Sequence, residues 1–145
     1  MIGLLQRVGN ARVEVNSQII ARIETGLLVL IGIEKEDTEA KADRLLERLL
    51  GYRVFPDPEG RMNRSLEDIQ GGLLLVPQFT LAAETRKGTR PGFSRAAAPD
   101  LGARMFTYLL NRAYARYPGT VAGHFGAAMQ VTLTNDGPVS FWLQV

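Results

Sequence analysis

The stretch "GLLVLIGI", Gly26–Ile33, is an unbroken apolar run, and it leads into "EKEDTEAKADRLLERLLG", Glu34–Gly51. A short apolar run without alternation fits a central strand covered on both faces. The segment that follows changes period. Ala42, Leu45, Leu46, Leu49 and Leu50 recur at i, i+3, i+4, i+7 and i+8, one stripe of a helix. Asp37-Thr38 can cap its start, and Gly51 can stop it. A strand buried on both sides needs partners on both sides, so the class of the fold depends on what flanks it.

Toward the amino end, Ile2 to Val8 reads as a first strand. "ARVEVN" alternates, with Val13 and Val15 on one face and Arg12 and Glu14 on the other, which predicts a half-buried strand. After a turn at Asn16-Ser17, "QIIARIE" continues the pattern. Downstream, "YRVFPDPEGRMNRS" opens as a short strand and becomes a loop held by Pro56, Pro58 and Gly60. "GGLLLVPQFTLAA" is a strand that turns irregular at Pro77, and "ETRKGTRPGFSRAAAP" is a long basic loop. A second helix is expected from Asp100 to about Tyr117, with Leu101, Met105, Tyr108, Leu109 and Arg112 roughly on one side. Ala128–Leu133 and Val139–Leu143 read as a closing pair of strands. Strands outnumber helices and do not alternate with them. The expectation is an α+β fold: a mostly antiparallel, barrel-like sheet with two packed helices, one domain over residues 1–145.

The bulk composition agrees. A chain of 145 residues supports one core, and 46% apolar with 22% charged residues is ordinary for a globular protein. The absence of cysteine excludes disulfides and thiolate chemistry. His124 is the only histidine, which argues against a Ser-His-Asp triad. No ligand spacing suggests a metal, and neither a P-loop nor GxGxxG is present, so no cofactor is expected. The opening "MIGLLQRVGN" does not read as a signal peptide, and no apolar stretch is long enough to span a bilayer. A cytoplasmic protein without membrane contact is the expectation. Net charge is only +2, but Arg86, Lys87, Arg90, Arg95, Arg104, Arg112 and Arg116 face Asp100 alone within residues 86–116. Such a local excess can meet phosphate, or can simply be a solvated basic surface.

Three segments can carry chemistry. In "VPQFTLAA", Val76–Ala83, a strand that meets a proline must leave its ladder, freeing the N–H groups of Gln78, Phe79 and Thr80 to stabilise an oxyanion. Thr80 also offers a hydroxyl, though with no evident base, and a strand end with Thr80 capping a turn is the plainer reading. In "GHFGAAMQV", Gly123–Val131, His124 is a possible general base and Met129 a possible pocket wall, while Gly123 and Gly126 allow close approach. In "LTNDGPVSFWLQV", Leu133–Val145, Asn-Asp-Gly-Pro interrupts an apolar strand. A hairpin turn is the plain reading. The sharper one is that a cis Gly137-Pro138 bond sets two carbonyls side by side to take an ammonium group. From these residues alone, a Thr80 esterase and a non-catalytic RNA-binding module both stay open.

These segments, with "LLQRV", "GLLVLIGIEKED" and "LLGYRVFPDPEGRMN", together resemble the D-aminoacyl-tRNA deacylases from one end of the chain to the other. The resemblance implies a homodimeric tRNA-editing hydrolase that cleaves D-amino acids, and glycine mischarged on alanine tRNA, from the 3′ end. It implies a barrel-like subunit whose Gly-cisPro peptide reaches into the partner's active site and rejects L side chains. It implies catalysis by main-chain donors of Gln78, Phe79 and Thr80, assisted by the 2′-hydroxyl of the terminal adenosine. Arg7 matches an arginine that steadies the Gly137-Pro138 loop, and Phe125 and Met129 match pocket-wall positions. Two positions depart from the usual pattern: Pro77 stands where serine is usual, and Ser140 where threonine is usual.

Overall fold

Every peptide group of a buried strand needs a partner, and the longest strand here finds partners along both edges. In a computed structural model describing all residues Met1–Val145, β1 (Ile2–Val15) runs antiparallel to β3 (Gly26–Gly32) through its first half, from Ile2↔Gly32 to Val8↔Gly26. Its second half pairs with β2 (Gln18–Ile23). Asn16 and Ser17, both at positive φ, make the tight turn between β1 and β2. The other edge of β1 carries β8 (Gln130–Gln144) from Ile2↔Gln144 to Glu14↔Gln130.

Strand β3 then pairs with β6 (Gly72–Pro77), and β6 with β7 (Thr120–Ala122), both in parallel. The sheet order is β2-β1-β3-β6-β7, with β8 on the free edge of β1. The sheet curls into a nearly closed barrel. The three ladders of β1 are antiparallel as expected. Two ladders within this mostly antiparallel arrangement are parallel, and their cause is topological. Parallel neighbours need a crossover of a dozen residues or more, and the two helical segments supply them.

The first crossover contains α1 (Glu39–Gly51), where Thr38 accepts from the Lys41 N–H and Ala42, Leu45, Leu46, Leu49 and Leu50 are buried, as their spacing predicts. Gly51 stays helical, and the chain leaves through an extended Tyr52 rather than a left-handed glycine. The same crossover holds the hairpin of β4 (Phe55–Pro56) and β5 (Met62–Arg64). It ends in a single-turn helix, α2 (Leu66–Ile69), so the fold has three helices and not two. Periodicity cannot reveal one turn, but Ser65 and Asp68 form a reciprocal capping box that marks it. The second crossover contains α3 (Pro99–Arg116), with proline in its first turn. Its buried stripe is Gly102, Met105, Phe106, Leu109 and Ala113. Arg112 is not part of that stripe: it bonds Asp43 of α1 at 2.8 Å, beside Tyr108 at 3.0 Å.

Strand β3 is indeed covered twice. Leu27, Val29 and Ile31 pack with the helices, while Leu28 joins Val8, Val13, Leu74 and Val76 inside the curl. The expected closing pair of strands is a single strand. β8 stays on β1 before and after Asn135-Asp136-Gly137-Pro138, so no hairpin turn forms there. No helix is long and apolar enough to cross a membrane.

The β3–β6 ladder begins at Gly26↔Gly72, where the backbones nearly touch. A Cβ on Gly26 would lie 2.0 Å from the Gly72 carbonyl oxygen, an atom that cannot rotate away. Gly26→Ala is expected to destabilise the fold by about 3 kcal/mol or more, the upper range for overpacking. Urea denaturation measures this, and a loss below about 1 kcal/mol would show that the two strands can part at little cost.

Candidate active site

Pro77 ends β6 beyond the last rung of β7, at Leu75↔Ala122, so its missing N–H leaves no ladder bond unmade. The next N–H, of Gln78, is donated to the Ile31 carbonyl at 2.7 Å. The chain then winds into a 3-10 turn, Phe79–Ala82, whose first bond runs from the Leu81 N–H to the Gln78 carbonyl. The N–H groups of Phe79 and Thr80 precede it and have no acceptor in the turn. The Thr80 hydroxyl donates to Gln78 Oε1 at 2.9 Å, and no carboxylate or imidazole takes its proton.

This turn borders a cavity of about 610 Å³ at the open end of the curl. Leu28, Leu30 and Val76 reach it from the sheet, and Pro77, Gln78 and Phe79 from the turn. Phe125 and Met129 complete the lining. Glycines make the room. A Cβ on Gly102 would sit 3.0 Å from the Phe125 ring, and one on Gly123 would sit 2.7 Å from the Met129 sulfur. Phe125 also packs on Phe106, with ring centroids 6.4 Å apart. Outside, Phe79 is 59% exposed and packs on Phe93 at 5.3 Å. His124 is exposed, its ring makes no hydrogen bond, and it does not line the cavity.

The second constellation is a large bulge in β8. Gln6↔Ser140 and Val8↔Asn135 bracket it, so Asp136–Val139 stand opposite Arg7 alone. Asn135 closes its base: Oδ1 accepts from the Val139 N–H at 2.8 Å, and Nδ2 donates to Ser140 Oγ and Gln6 Oε1. The Ser140 hydroxyl donates to Gln6 Oε1 at 2.6 Å. Arg7 holds the bulge from below, from Nε to the Asp136 carbonyl at 3.0 Å and from Nη1 to the Val54 carbonyl at 2.6 Å. The Asp136 carboxylate is 3.2 Å away, and the Arg7 side chain is only 12% exposed. Gly137 has φ +133, its bond to Pro138 is cis, and both residues are exposed.

The predicted site residues therefore fall into two groups. Gln78, Phe79, Phe125 and Met129 line the cavity, with Thr80 next in the turn. Arg7, Gly137 and Pro138 belong to the bulge, and none of them lines the cavity of their own chain. Sequence reasoning missed Gln6, Asn135, Phe93 and Gly102. Only Asn135 carried a local signal, as a turn-forming Asn.

In the loop beyond the turn, Arg86 forks onto Glu84, with Nη2 2.6 Å from Oε2. These bonds, then the Arg86 N–H and its charge, pull the Glu84 carboxyl down from 4.5 to about 2.

The sequence matches the family described as D-Tyr-tRNA(Tyr) deacylase over residues 4–144. It is similar to a D-aminoacyl-tRNA deacylase of Pseudomonas entomophila, at 61% identity with all of both chains covered. A protein of the same name from Nitrosococcus oceani is also 61% identical, covering 100% of this chain and 94% of the relative. Among solved structures, the fold is similar to one titled c-Myc DNA Unwinding Element Binding Protein (TM-score 0.94, 35% identity, 100% and 99% of the chains covered). It also shares the fold of a probable eukaryotic D-amino acid tRNA deacylase (TM-score 0.83, 20% identity, 99% and 98% covered).

The Glu84–Arg86 staple gives a test of the loop's electrostatics. Because the folded carboxyl is depressed, its contribution is complete above about pH 4.5 and is lost as pH falls through about 2. Carboxyl-carbon NMR should place the Glu84 midpoint near 2 in the wild type and return it toward 4.5 in Arg86→Ala. An unchanged midpoint in that variant would assign the depression to another cause.

Proposed function

The chain belongs to the D-Tyr-tRNA(Tyr) deacylase family, a hydrolase family acting on aminoacyl-tRNA esters, and from that premise we propose how its cavity and bulge perform the reaction. The reading rests above all on one observation: an apolar cavity lined by Phe79, with Thr80 next in the turn, the main-chain N–H groups of both without an acceptor there, and no side-chain nucleophile paired with a base.

The substrate is the ester of a D-amino acid with the 3′-terminal adenosine of tRNA. The cavity takes the aminoacyl end. Water adds to the ester carbonyl, and negative charge gathers on its oxygen. The N–H groups of Phe79 and Thr80 receive that charge in a site walled by Phe125 and Met129, where water is scarce and such bonds are strong. The neighbouring 2′-hydroxyl assists. The tetrahedral adduct then releases the 3′-oxygen, which takes up a proton, leaving the free D-amino acid and a tRNA with its 3′-hydroxyl. Gln78 acts through its side chain, because its own N–H is committed to Ile31. Thr80 contributes its peptide group and not its hydroxyl. No metal or cofactor enters the scheme, and the protein works in the cytoplasm, where charged tRNA is found.

Stereochemical choice belongs to the bulge. Arg7 and Asn135 fix Gly137-Pro138 as an exposed projection, and the cavity of the same chain lacks it. The projection is completed in a homodimer, where the bulge of one protomer enters the cavity of its partner and its carbonyls take the substrate's ammonium group. Val131, Leu133 and Trp142 leave an apolar, exposed path along the same strand for that contact. An L side chain then meets the bulge, a D side chain points to open space, and glycine has nothing to exclude, so glycine mischarged on alanine tRNA is cleaved as well.

Deacylation of D-Tyr-, L-Tyr- and Gly-charged tRNA tests the chemistry. The wild type and Thr80→Ala should both release the D and Gly esters at similar rates and spare L. Thr80→Pro, which removes the N–H from a first-turn position that tolerates proline, should lose about 10²–10³-fold in kcat. Loss of all turnover in Thr80→Ala, with an unchanged circular dichroism spectrum, would instead assign a nucleophile.

Mixing inactive variants tests the dimer. A Cβ on Gly137 would lie 2.7 Å from Val139 Cγ2 and 3.1 Å from Arg7 Nη2, so Gly137→Ala displaces the bulge and, with it, the carbonyls that hold the ammonium group, leaving its homodimer inactive. Co-refolded Gly137→Ala and Thr80→Pro chains should recover about a quarter of wild-type activity, since half the dimers carry one intact site. No recovery, or a monomer in sedimentation, would confine the bulge to its own protomer.

A further inference from the structure

The basic segment Arg86–Arg116 is less basic in the folded chain than in the sequence. Four of its seven cations are paired with carboxylates from elsewhere: Arg86 with Glu84 at 2.6 Å, Arg95 with Glu34 at 2.8 Å, Arg112 with Asp43 at 2.8 Å and Arg116 with Glu67 at 3.7 Å. Lys87, Arg90 and Arg104 have no carboxylate partner. Arg104 lies on the solvent side of α3, opposite the Gly102 and Phe106 positions that face the core. Lys87 and Arg90 are different, because their loop is built and anchored.

The Glu84 N–H bonds the Gly92 carbonyl at 2.7 Å, and the Gly92 N–H returns to the Glu84 carbonyl at 3.0 Å. The Arg86 fork on Glu84 tightens the same base, and Gly88 at φ +68 turns the tip. One residue past the base, Phe93 packs on Phe79, which lines the cavity. Arg90 is three residues from Phe93, so its backbone lies within about 10 Å of a ring packed on the cavity's Phe79, and Lys87 is as close to the Glu84–Gly92 base that Phe93 adjoins. The loop therefore carries two cations without carboxylate partners, close in sequence to a ring that packs on the cavity wall.

We propose that Lys87 and Arg90 clamp the phosphodiesters of the RNA strand that trails from the cavity, just 5′ of the esterified nucleotide, and that the four paired arginines do not. The proposal rests on the deacylase reading. If the 3′-terminal nucleoside occupies the cavity, the chain behind it must cross the rim. A cation already shared with a carboxylate gains little from a phosphate, whereas an unpaired one gains the full release of a counterion.

The test is the salt dependence of kcat/KM on D-Tyr-tRNA for the wild type, Lys87→Gln, Arg90→Gln, the double variant and Arg116→Gln. Each single loop variant should flatten the log–log salt slope by about 0.7, the value for one phosphate of a single strand, and the double by about 1.4. Arg116→Gln should keep the wild-type slope. On 3′-O-(D-tyrosyl)adenosine, which has no phosphate, the double variant should match the wild type. An unchanged slope in the double variant overturns the clamp. So does an equal loss on the phosphate-free ester, or a slope flattened as much by Arg116→Gln. If the wild type cleaves neither ester, the deacylase reading itself fails, and the clamp with it.

Discussion

Strand β1 is hydrogen-bonded along both edges, and most of the molecule follows from that demand. A strand through a core cannot leave peptide groups unpaired. Its first half has β3 on one side and its second half has β2, while β8 must follow the whole of the other side. That long ladder would hold β8 flat, yet β8 carries four residues where β1 offers only Arg7. The surplus is forced outward. Arg7, nearly buried, ties the base of the surplus to Val54, and Asn135 ties its two ends together. The projection of Gly137-Pro138 is thus a consequence of register as much as of turn chemistry.

The cavity follows from the same arrangement. The β3–β6 and β6–β7 ladders stop at different heights, and Pro77 lies past the shorter one. There the chain can wind into a 3-10 turn and leave two donors without internal acceptors. Few titratable groups take part: the lone histidine does not line the cavity, and the Thr80 hydroxyl serves Gln78. A reaction stabilised by fixed peptide dipoles in an apolar setting needs no tuned pKa at its centre. The strongest carboxylate depression, at Glu84, belongs to the basic loop and not to the cavity lining.

Local order was legible in the sequence. The stripe from Ala42 to Leu50 with its Thr38 cap, the double coverage of Gly26–Gly32, and the irregularity at Pro77 all came from short-range pattern, and each is present in the fold. These features depend on neighbours a few residues away, which is the range over which periodicity and capping act. The grouping of "PQFTLAA", "GHFGAAMQ" and "NDGPVS" into one resemblance was also a property of the sequence, and family membership agrees with it.

Only the tertiary structure decided which distant groups meet. Parallel pairing of β3 with β6, the continuity of β8 through Asn-Asp-Gly-Pro, and the contacts of Arg7 with Asp136 and Val54 join residues tens of positions apart. So do the ion pairs that silence Arg95, Arg112 and Arg116. A composition shows how many charges a segment has, but not which carboxylate the fold will bring to each. Residue types and local spacing therefore determined the elements and the chemistry available. Register and crossover, which act through hydrogen-bond saturation and packing across the whole chain, decided where that chemistry was placed.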